Sequence, residues 1–329
     1  MVFSCTLLIL LVCCAPAEAA RGAVVLEAYS GAVLYEQMGE VPLPPASTTK
    51  ILTALLCLDL SPDLEAEHSI SARAAAIGES SMDLRTGESL TLHQLLQGAL
   101  VHSSNDACYA IGEICAGSEP LFVHWMNMKA AVLGADTVQM CNTSGLPDEK
   151  HQMSAMDLAC LTRYALRHAL FREIVSGKSV EICSKDAYRY YRNTNKLLNY
   201  DDHIIGVKTG TTDAAGKCLV SAYRDGAAIY IAVVLNSADR YGESYDLLCR
   251  AAEEKLLLRY PCRGRVLCCV PCEKGYCRLQ AERDLNVLLT EKETEGIRLC
   301  WSLKEGEGRL SLLDKDGILL EETALILTE

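Results

Sequence analysis

The sequence predicts an α+β fold in two parts: a sheet with an inserted helical segment, then a small all-β domain. Three observations predict it. β-rich runs at the start of the chain return only after about residue 200, so the two parts of one sheet are distant in sequence. Residues 66 to about 200 carry mainly helical apolar patterns broken by turn signals. Beyond Pro261 the texture changes to short strand-like pieces with tight turns. The expected division is a leader at 1–19, a main domain at 20–260 and a β-rich domain at 261–329.

The first segment, Val2 to Cys14, is almost wholly apolar, and Pro16 with Ala17-Glu18-Ala19 follows as a small-x-small cleavage signal. The segment is too short to span a membrane and is expected to be a secretory leader, although it contains no Lys or Arg. Ala23-Val24-Val25-Leu26-Glu27 and Ala32-Val33-Leu34-Tyr35, joined through Tyr29-Ser30-Gly31, predict a hairpin. Pro42, Pro44 and Pro45 keep the chain extended up to Ser47, which opens an apolar helix over Ile51 to Leu58. That helix is hydrophobic nearly all round and should be buried. Strands are expected at Ile204 to Val207, Cys218 to Tyr223 and Ala227 to Asn236, and a helix at Gly242 to Leu258. In the tail they are expected at Val266 to Val270, Asn286 to Thr290, Ile297 to Trp301 and on both sides of Asp316-Gly317.

Half of the 329 residues are hydrophobic, enough for one large core and a small one, and the net charge is -12. With no basic run, nucleic acid is excluded as a natural partner. Of the seventeen cysteines, those scattered through apolar runs (Cys57, Cys108, Cys160, Cys218, Cys249) suit small core positions. Others gather near the C-terminal end: Cys262, Cys268, Cys269, Cys272, Cys277 and Cys300. Cys269-x-x-Cys272 lacks the second Cys-x-x-Cys of a structural zinc site, so a disulfide is favoured there over a metal. Glu65-x-x-His68 has ligand-like spacing but no partner cluster, and a solvated turn is expected. No cofactor is implied.

The chemistry lies in three short motifs: Ser47-Thr48-Thr49-Lys50, Ser103-Ser104-Asn105 and Lys208-Thr209-Gly210. Residues three apart share a helix face, so Lys50 can reach the Ser47 hydroxyl and take its proton, beside the positive end of a helix. A lysine is a base only when neutral. Burial and a second cation, for which Lys208 is the natural choice, would lower its pKa. Ser103 would pass a proton towards a leaving amine, and Asn105 would hold Lys50 and bond a substrate amide. Lys208 ends a strand run in which Gly206 and Gly210 permit close backbone approach. Such an edge can pair with an extended peptide and place a cation at its terminal carboxylate. Taken singly, each motif fits a helix cap, a turn or a solvated lysine. Their joint occurrence in this order is what carries weight. Arg85-Thr86-Gly87 imitates the third motif but follows no strand run, and a plain turn is expected.

On these motifs the sequence resembles the low-molecular-weight penicillin-binding proteins, the serine D-alanyl-D-alanine carboxypeptidases of peptidase family S11, close to the sporulation-associated Gram-positive types. The likeness runs from about Gly22 to Leu258. It includes His102 to Ala107, Asn142-Thr143-Ser144-Gly145-Leu146-Pro147, Asn193 to Leu198, and Gly206 to Gly216. It implies a β-lactamase/transpeptidase-like antiparallel sheet with helices on both faces and an inserted helical subdomain, plus the small C-terminal all-β domain. It further implies Ser47 as nucleophile, Lys50 as general base, and an oxyanion hole from the backbone N–H groups of Ser47 and Thr211. Lys208 and Thr209 would hold the substrate carboxylate, with Gly210 between them and Thr211, and with Asp106 and Asn195 in support. Some members carry an arginine where Thr194 stands, which would shift carboxylate binding onto Lys208 and Thr209. The partners implied are peptidoglycan stem peptides, with β-lactam antibiotics as covalent inhibitors, and the setting is the cell envelope outside the cytoplasm. No C-terminal amphipathic membrane anchor is expected, because a strand-like run leads to Thr328-Glu329. The rivals are a β-lactamase of the same fold, disfavoured by the lack of a Glu-x-x-Leu-Asn segment between Ser103 and Lys208, and a non-catalytic penicillin-binding wall protein.

Overall fold

The computed structural model describes residues 19–329, except positions 62, 186, 227, 255, 261, 262, 264, 265, 273, 274, 284, 290–296, 305, 306, 314–316 and 329. The expected leader at 1–19 therefore lies outside the described residues, Ala19 apart.

Strands β1 (Gly22–Glu27) and β2 (Val33–Gln37) form the expected antiparallel hairpin. A 3-10 turn at Ala46–Thr49 leads into helix α1 (Lys50–Leu60), buried from Lys50 to Cys57, as an all-round apolar sequence requires. Next come β3 (Glu67–Ser69), α2 (Ala72–Ala75), β4 (Ser89–Thr91) and α3 (Leu92–Gln97). The last opens on a capping box in which Thr91 and Gln94 satisfy each other's backbone N–H groups. Helices α4 (Asn105–Ala116), α5 (Glu119–Val132), α6 (Ala155–Ala165) and α7 (Ala169–Ser176) complete the inserted segment together with the ribbon of β5 (Ser179–Cys183) and β6 (Tyr188–Arg192). The two ribbons, β3–β4 and β5–β6, depart from the mainly helical expectation. They are too short for periodicity to reveal.

The chain then returns to the first sheet through β7 (Ile204–Thr212), β8 (Gly216–Asp225) and β9 (Ala228–Leu235), followed by α8 (Arg240–Glu254). The five-stranded order is β2-β1-β9-β8-β7, antiparallel throughout. Strand β9 is buried along its whole length, which explains its uninterrupted apolar sequence. Alternate residues face opposite layers. Val24, Leu26, Ile231 and Val233 pack towards α1 and α6, whereas Ala23, Val25, Ala232 and Val234 pack towards Leu248 and Ala251 of α8. Helices thus cover both faces, and β7 is left as a free edge.

Helix α8 ends four residues short of the expected Leu258, because β10 (Leu256–Tyr260) pairs with a tail strand, β13 (Leu285–Leu289). The tail also contains β11 (Val266–Cys272), β12 (Gly275–Ala281), β14 (Arg298–Lys304), β15 (Glu307–Leu313) and β16 (Leu319–Thr328). These form an antiparallel sheet in the order β11-β12-β16-β15-β14. Strand β12 was not legible in the sequence. Leu285, Leu310, Leu312 and Leu325 form a separate small core.

Cys57, Cys108 and Cys218 are buried free thiols and Cys160 and Cys249 are partly buried, as expected of small core residues. The side chains of Cys262, Cys268, Cys269, Cys272 and Cys277, with the disulfide expected among them, lie outside the described residues. Glu65 accepts from the His93 ring at 2.7 Å, and Arg85-Thr86-Gly87 is a plain turn with Gly87 at φ 81°. Among the described residues no helix is long and apolar enough to cross a membrane.

Candidate active site

Ser47 sits in the 3-10 turn one step before α1, not inside the helix, and Lys50 is the first residue of α1. The three-residue spacing still brings the pair together. Lys50 Nζ lies 2.9 Å from Ser47 Oγ, 2.8 Å from Asn105 Oδ1 and 2.7 Å from the carbonyl oxygen of Ser144. An ammonium donates to all three. Once Nζ is neutral its lone pair can accept from the serine hydroxyl, so the 2.9 Å contact can reverse its sense. Lys50 is wholly buried, and burial lowers its pKa to about 8 against the pull of Cys108, Asp106 and Glu79.

Asn105 is delivered by an irregular turn. A π turn at Gly98–His102 ends on Ser103, whose φ of 72° is left-handed, and α4 begins two residues later. Asn105 is anchored by its own N–H to Ser80 O at 2.6 Å and by Nδ2 to Gly78 O at 3.2 Å, so Oδ1 is left facing Lys50. Ser103 itself is 8% exposed. Asp106 is fully buried and works as a structural anchor: its carboxylate accepts from Ser81 Oγ and from the N–H groups of Met82, Leu84 and Ala107. Those bonds fix the loop that carries Ser80.

The third wall is the loop after α5. Asn142 Oδ1 accepts from the N–H groups of Ser144, Gly145 and Leu146, at 3.2, 2.8 and 3.1 Å. This side-chain turn presents the Ser144 carbonyl to Lys50. Gly145, at φ 87°, lies so close to the reactive turn that a Cβ there would meet Ala46 O at 1.8 Å. Behind it, Cys141 N–H donates to His151 Nδ1 at 3.1 Å, so in the neutral ring Nε2 carries the proton and donates to Thr49 Oγ1 at 2.8 Å. Burial lowers the His151 pKa to about 4, which keeps the ring neutral.

The fourth wall is the free edge strand. Lys208-Thr209-Gly210 lies within β7, not past its end. Gly210 abuts the serine turn, where a Cβ would stand 2.9 Å from Pro45 O and 3.1 Å from Ser47 N. The backbone N–H of Ser47 is therefore flanked by Gly145 and Gly210. Gly206 serves packing instead, since its Cβ would meet Val175 at 2.8 Å. Lys208 is fully buried and donates to the Thr209 carbonyl at 3.0 Å. Its pKa is lowered well below the usual lysine value by burial and then by the Lys50 charge. Desolvation is the leading cause of the lowered pKa of both lysines. Thr209 Oγ1 donates to Thr194 Oγ1 at 2.8 Å. Asn195 is buried and caps the next turn by accepting from Leu197 N–H, which is a packing role.

Ser47, Lys50, Ser103, Asn105, Lys208, Thr209, Gly210 and Thr211 thus stand on three segments of the fold, the turn leading into α1, the turn leading into α4 and the edge strand β7. Asn142 and Ser144 stand in the sequence only as part of the family likeness, with no role assigned, and Arg240 is not singled out there at all. Arg240 begins α8, and its Nη1 donates to Gly210 O at 2.9 Å and to Thr211 Oγ1 at 2.8 Å. It puts a second cation beside β7, next to Tyr241, whose hydroxyl donates to Thr194 O at 3.1 Å. A serine held by a buried lysine, next to an open strand edge lined by cations, is equipped for acyl transfer from a chain that ends in a carboxylate.

The chain belongs to the D-alanyl-D-alanine carboxypeptidase family, peptidase S11, which matches residues 12–239. It is 34% identical over 227 residues to the D-alanyl-D-alanine carboxypeptidase DacF of Bacillus subtilis, a match covering 68% of this chain and 58% of DacF. It is 33% identical over 227 residues to DacB2 of Mycobacterium tuberculosis, covering 68% of this chain and 77% of that one. The match to DacF thus spans less than two thirds of that relative's length. Penicillin binding protein 5 from Haemophilus influenzae has the same fold, with a TM-score of 0.82 over 94% of this chain and 97% of that chain at 23% identity.

Proposed function

We propose that this protein is a serine D-Ala-D-Ala carboxypeptidase that removes the terminal D-alanine from peptidoglycan stem peptides through an acyl-enzyme on Ser47. The observation that carries the reading is the 2.9 Å contact between Ser47 Oγ and the buried Lys50 Nζ. Neutral Lys50 takes the hydroxyl proton as Oγ attacks the carbonyl carbon of the penultimate D-alanine. The oxyanion settles between the backbone N–H groups of Ser47 and Thr211. The carbon–nitrogen bond then breaks, the proton held by Lys50 passes through Ser103 Oγ to the amine, and D-alanine departs. Water, giving a proton to Lys50, cleaves the ester and restores Ser47. Lys208 and Thr209 hold the terminal carboxylate until D-alanine departs. A β-lactam acylates Ser47 in the same way, but its leaving nitrogen stays tethered.

In this reading the enzyme is exported by the leader at 1–19 and acts in the cell envelope, in wall biogenesis and the maintenance of cell shape. Residues 20–260 form the peptidase domain and 261–329 a separate β-rich domain. The intact mass of the protein, followed after penicillin and then with a D-Ala-D-Ala peptide, tests it. Expected are one long-lived penicilloyl adduct, absent in Ser47→Ala, and steady release of D-alanine. Fast turnover of penicillin with no D-alanine released would make the protein a β-lactamase, and an adduct persisting in Ser47→Ala would move the nucleophile elsewhere.

A further inference from the structure

At the end of the sheet remote from Ser47 lies a cavity of about 410 Å³ whose walls hold four arginines, Arg163, Arg167, Arg172 and Arg224, and no carboxylate. Strand register sets how remote it is. Gly210, which abuts the serine turn, pairs with Cys218, and Arg224 stands six residues further along β8, roughly 20 Å at the usual strand rise. The four cations come from α6, the link that follows it, α7 and β8, so only the tertiary fold brings them together.

Two of the four also brace the backbone. Arg163 Nε and Nη2 donate to the carbonyls of Ala28 and Tyr29 at 2.6 and 2.7 Å, and Arg172 Nη1 donates to those of Leu166 and Arg167. Carbonyls satisfy donors but leave the charge in place. The Arg167 side chain lies over the Tyr164 ring at 4.7 Å, and neither it nor the Arg224 side chain donates a hydrogen bond among the described residues. The carboxylates adjoining these residues in sequence, Glu27, Glu173 and Asp225, do not line the cavity. Glu27 Oε2 accepts from the N–H groups of Tyr29 and Ser30, and Asp225 follows Arg224 on a strand, so it points to the other face. With 43 acidic against 31 basic residues the chain has carboxylates to spare. Four guanidinium groups gathered without one call for a counter-charge from outside. A guanidinium fork matches two oxygens of one phosphoryl group. A carboxylate would answer one fork and one charge, whereas a diphosphate offers two adjoining phosphoryl groups to forks arriving from different elements. Leu166 and Ile229 supply apolar wall for the organic part of an ester. We propose that this cavity is an anion-binding site for the diphosphate group of a phosphate ester. A soluble ester and a lipid headgroup carry the same chemistry, and either one bound there leaves Ser47 free.

Calorimetric titration of the full chain with pyrophosphate, and separately with succinate, tests the site. Pyrophosphate is expected to bind at least about tenfold more tightly than succinate, with an affinity that falls as salt rises. In Arg167→Gln combined with Arg224→Gln, the affinity for pyrophosphate should fall by on the order of 10²-fold, since two charged contacts are lost. Pyrophosphate should likewise raise the Tm of the unaltered protein and leave that of the double variant nearly unmoved. Flotation with phosphatidylcholine vesicles, with and without farnesyl diphosphate, separates the two sources. Flotation that needs farnesyl diphosphate supports the site with a lipid headgroup as its ligand. Pyrophosphate binding without flotation supports it with a soluble ester. Absence of pyrophosphate binding overturns the proposal, and so does equal affinity for succinate or binding that survives the double variant. Should the double variant not fold, Arg224→Gln alone must still weaken pyrophosphate binding, by about tenfold.

Discussion

The two sides of the site each hold a fully buried lysine and treat it differently. On the helical side, Lys50 Nζ faces three oxygens, one of them the serine hydroxyl, and its pKa is lowered to about 8. On the strand side, Lys208 Nζ makes one hydrogen bond among the described residues, to the carbonyl of its own neighbour, and its pKa is likewise lowered, by burial and then by Lys50. Burial acts on both. What separates them is the supply of acceptors. Lys50 is held in place and needs only to lose a proton, which suits a base. Lys208 keeps donor capacity unspent, and a ligand carboxylate would supply both the acceptor and the charge that favours its protonation. The same residue type becomes a proton acceptor or an anion receptor according to what its surroundings leave unsatisfied.

Replacing each lysine is the sharpest way to break this contrast. Lys50→Met should lower the rate of penicillin acylation by on the order of 10²- to 10⁴-fold, the loss expected when a positioned base is removed. The growth of the adduct mass with time measures it. Lys208→Ala should act through the carboxylate instead. D-alanine release from a peptide with a free terminal carboxylate should drop by on the order of 10²-fold, with a much smaller drop when that terminus is an amide. Equal losses on acid and amide would mean that Lys208 shapes the site without meeting the ligand.

A pH profile sharpens the contrast further. If Lys50 must be neutral to react, acylation rises about tenfold per pH unit below its pKa and levels off above about 8. Between pH 6 and pH 8 the neutral fraction grows by about 50-fold, and the rate of mass increase should follow it. A flat profile over that interval would show that another group takes the proton.

How much of this could be read in the sequence depended on what each role demands chemically. Ser47, Lys50, Asn105 and Lys208 were legible because their roles require a hydroxyl, an amine or an amide at fixed spacing. The Ser144 carbonyl was not, because any residue carries one and only tertiary folding decides which carbonyl faces Lys50. Arg240 was missed for a different reason: an arginine at the start of a helix reads as solvated until β7 is seen beside it. Within the fold, the long apolar strands were plain. The extension of β7 through Gly210 was hidden by a glycine and threonines, which interrupt the apolar pattern of a strand. The end of α8 was misplaced because Leu256 to Leu258 continues a helical pattern, and only the pairing of β10 with β13 makes it a strand.

The smallest predicted effect tests the loop carbonyl directly. Asn142 touches neither Ser47 nor Lys50, yet its Oδ1 gathers three successive N–H groups and thereby aims Ser144 O at Nζ. Asn142→Ala leaves those N–H groups without their acceptor, which should cost about 1–3 kcal/mol of stability, read as a lower Tm. The effect on acylation should be several-fold, since Lys50 retains Ser47 and Asn105. The diagnostic sign is in the pH profile. A carbonyl acceptor favours the charged ammonium, so its withdrawal should move the midpoint below about 8 while the plateau falls. A stability loss with an unmoved midpoint would reduce Asn142 to a loop-holding residue, and a midpoint that rose would mean that Ser144 O does not favour the charged form of Lys50.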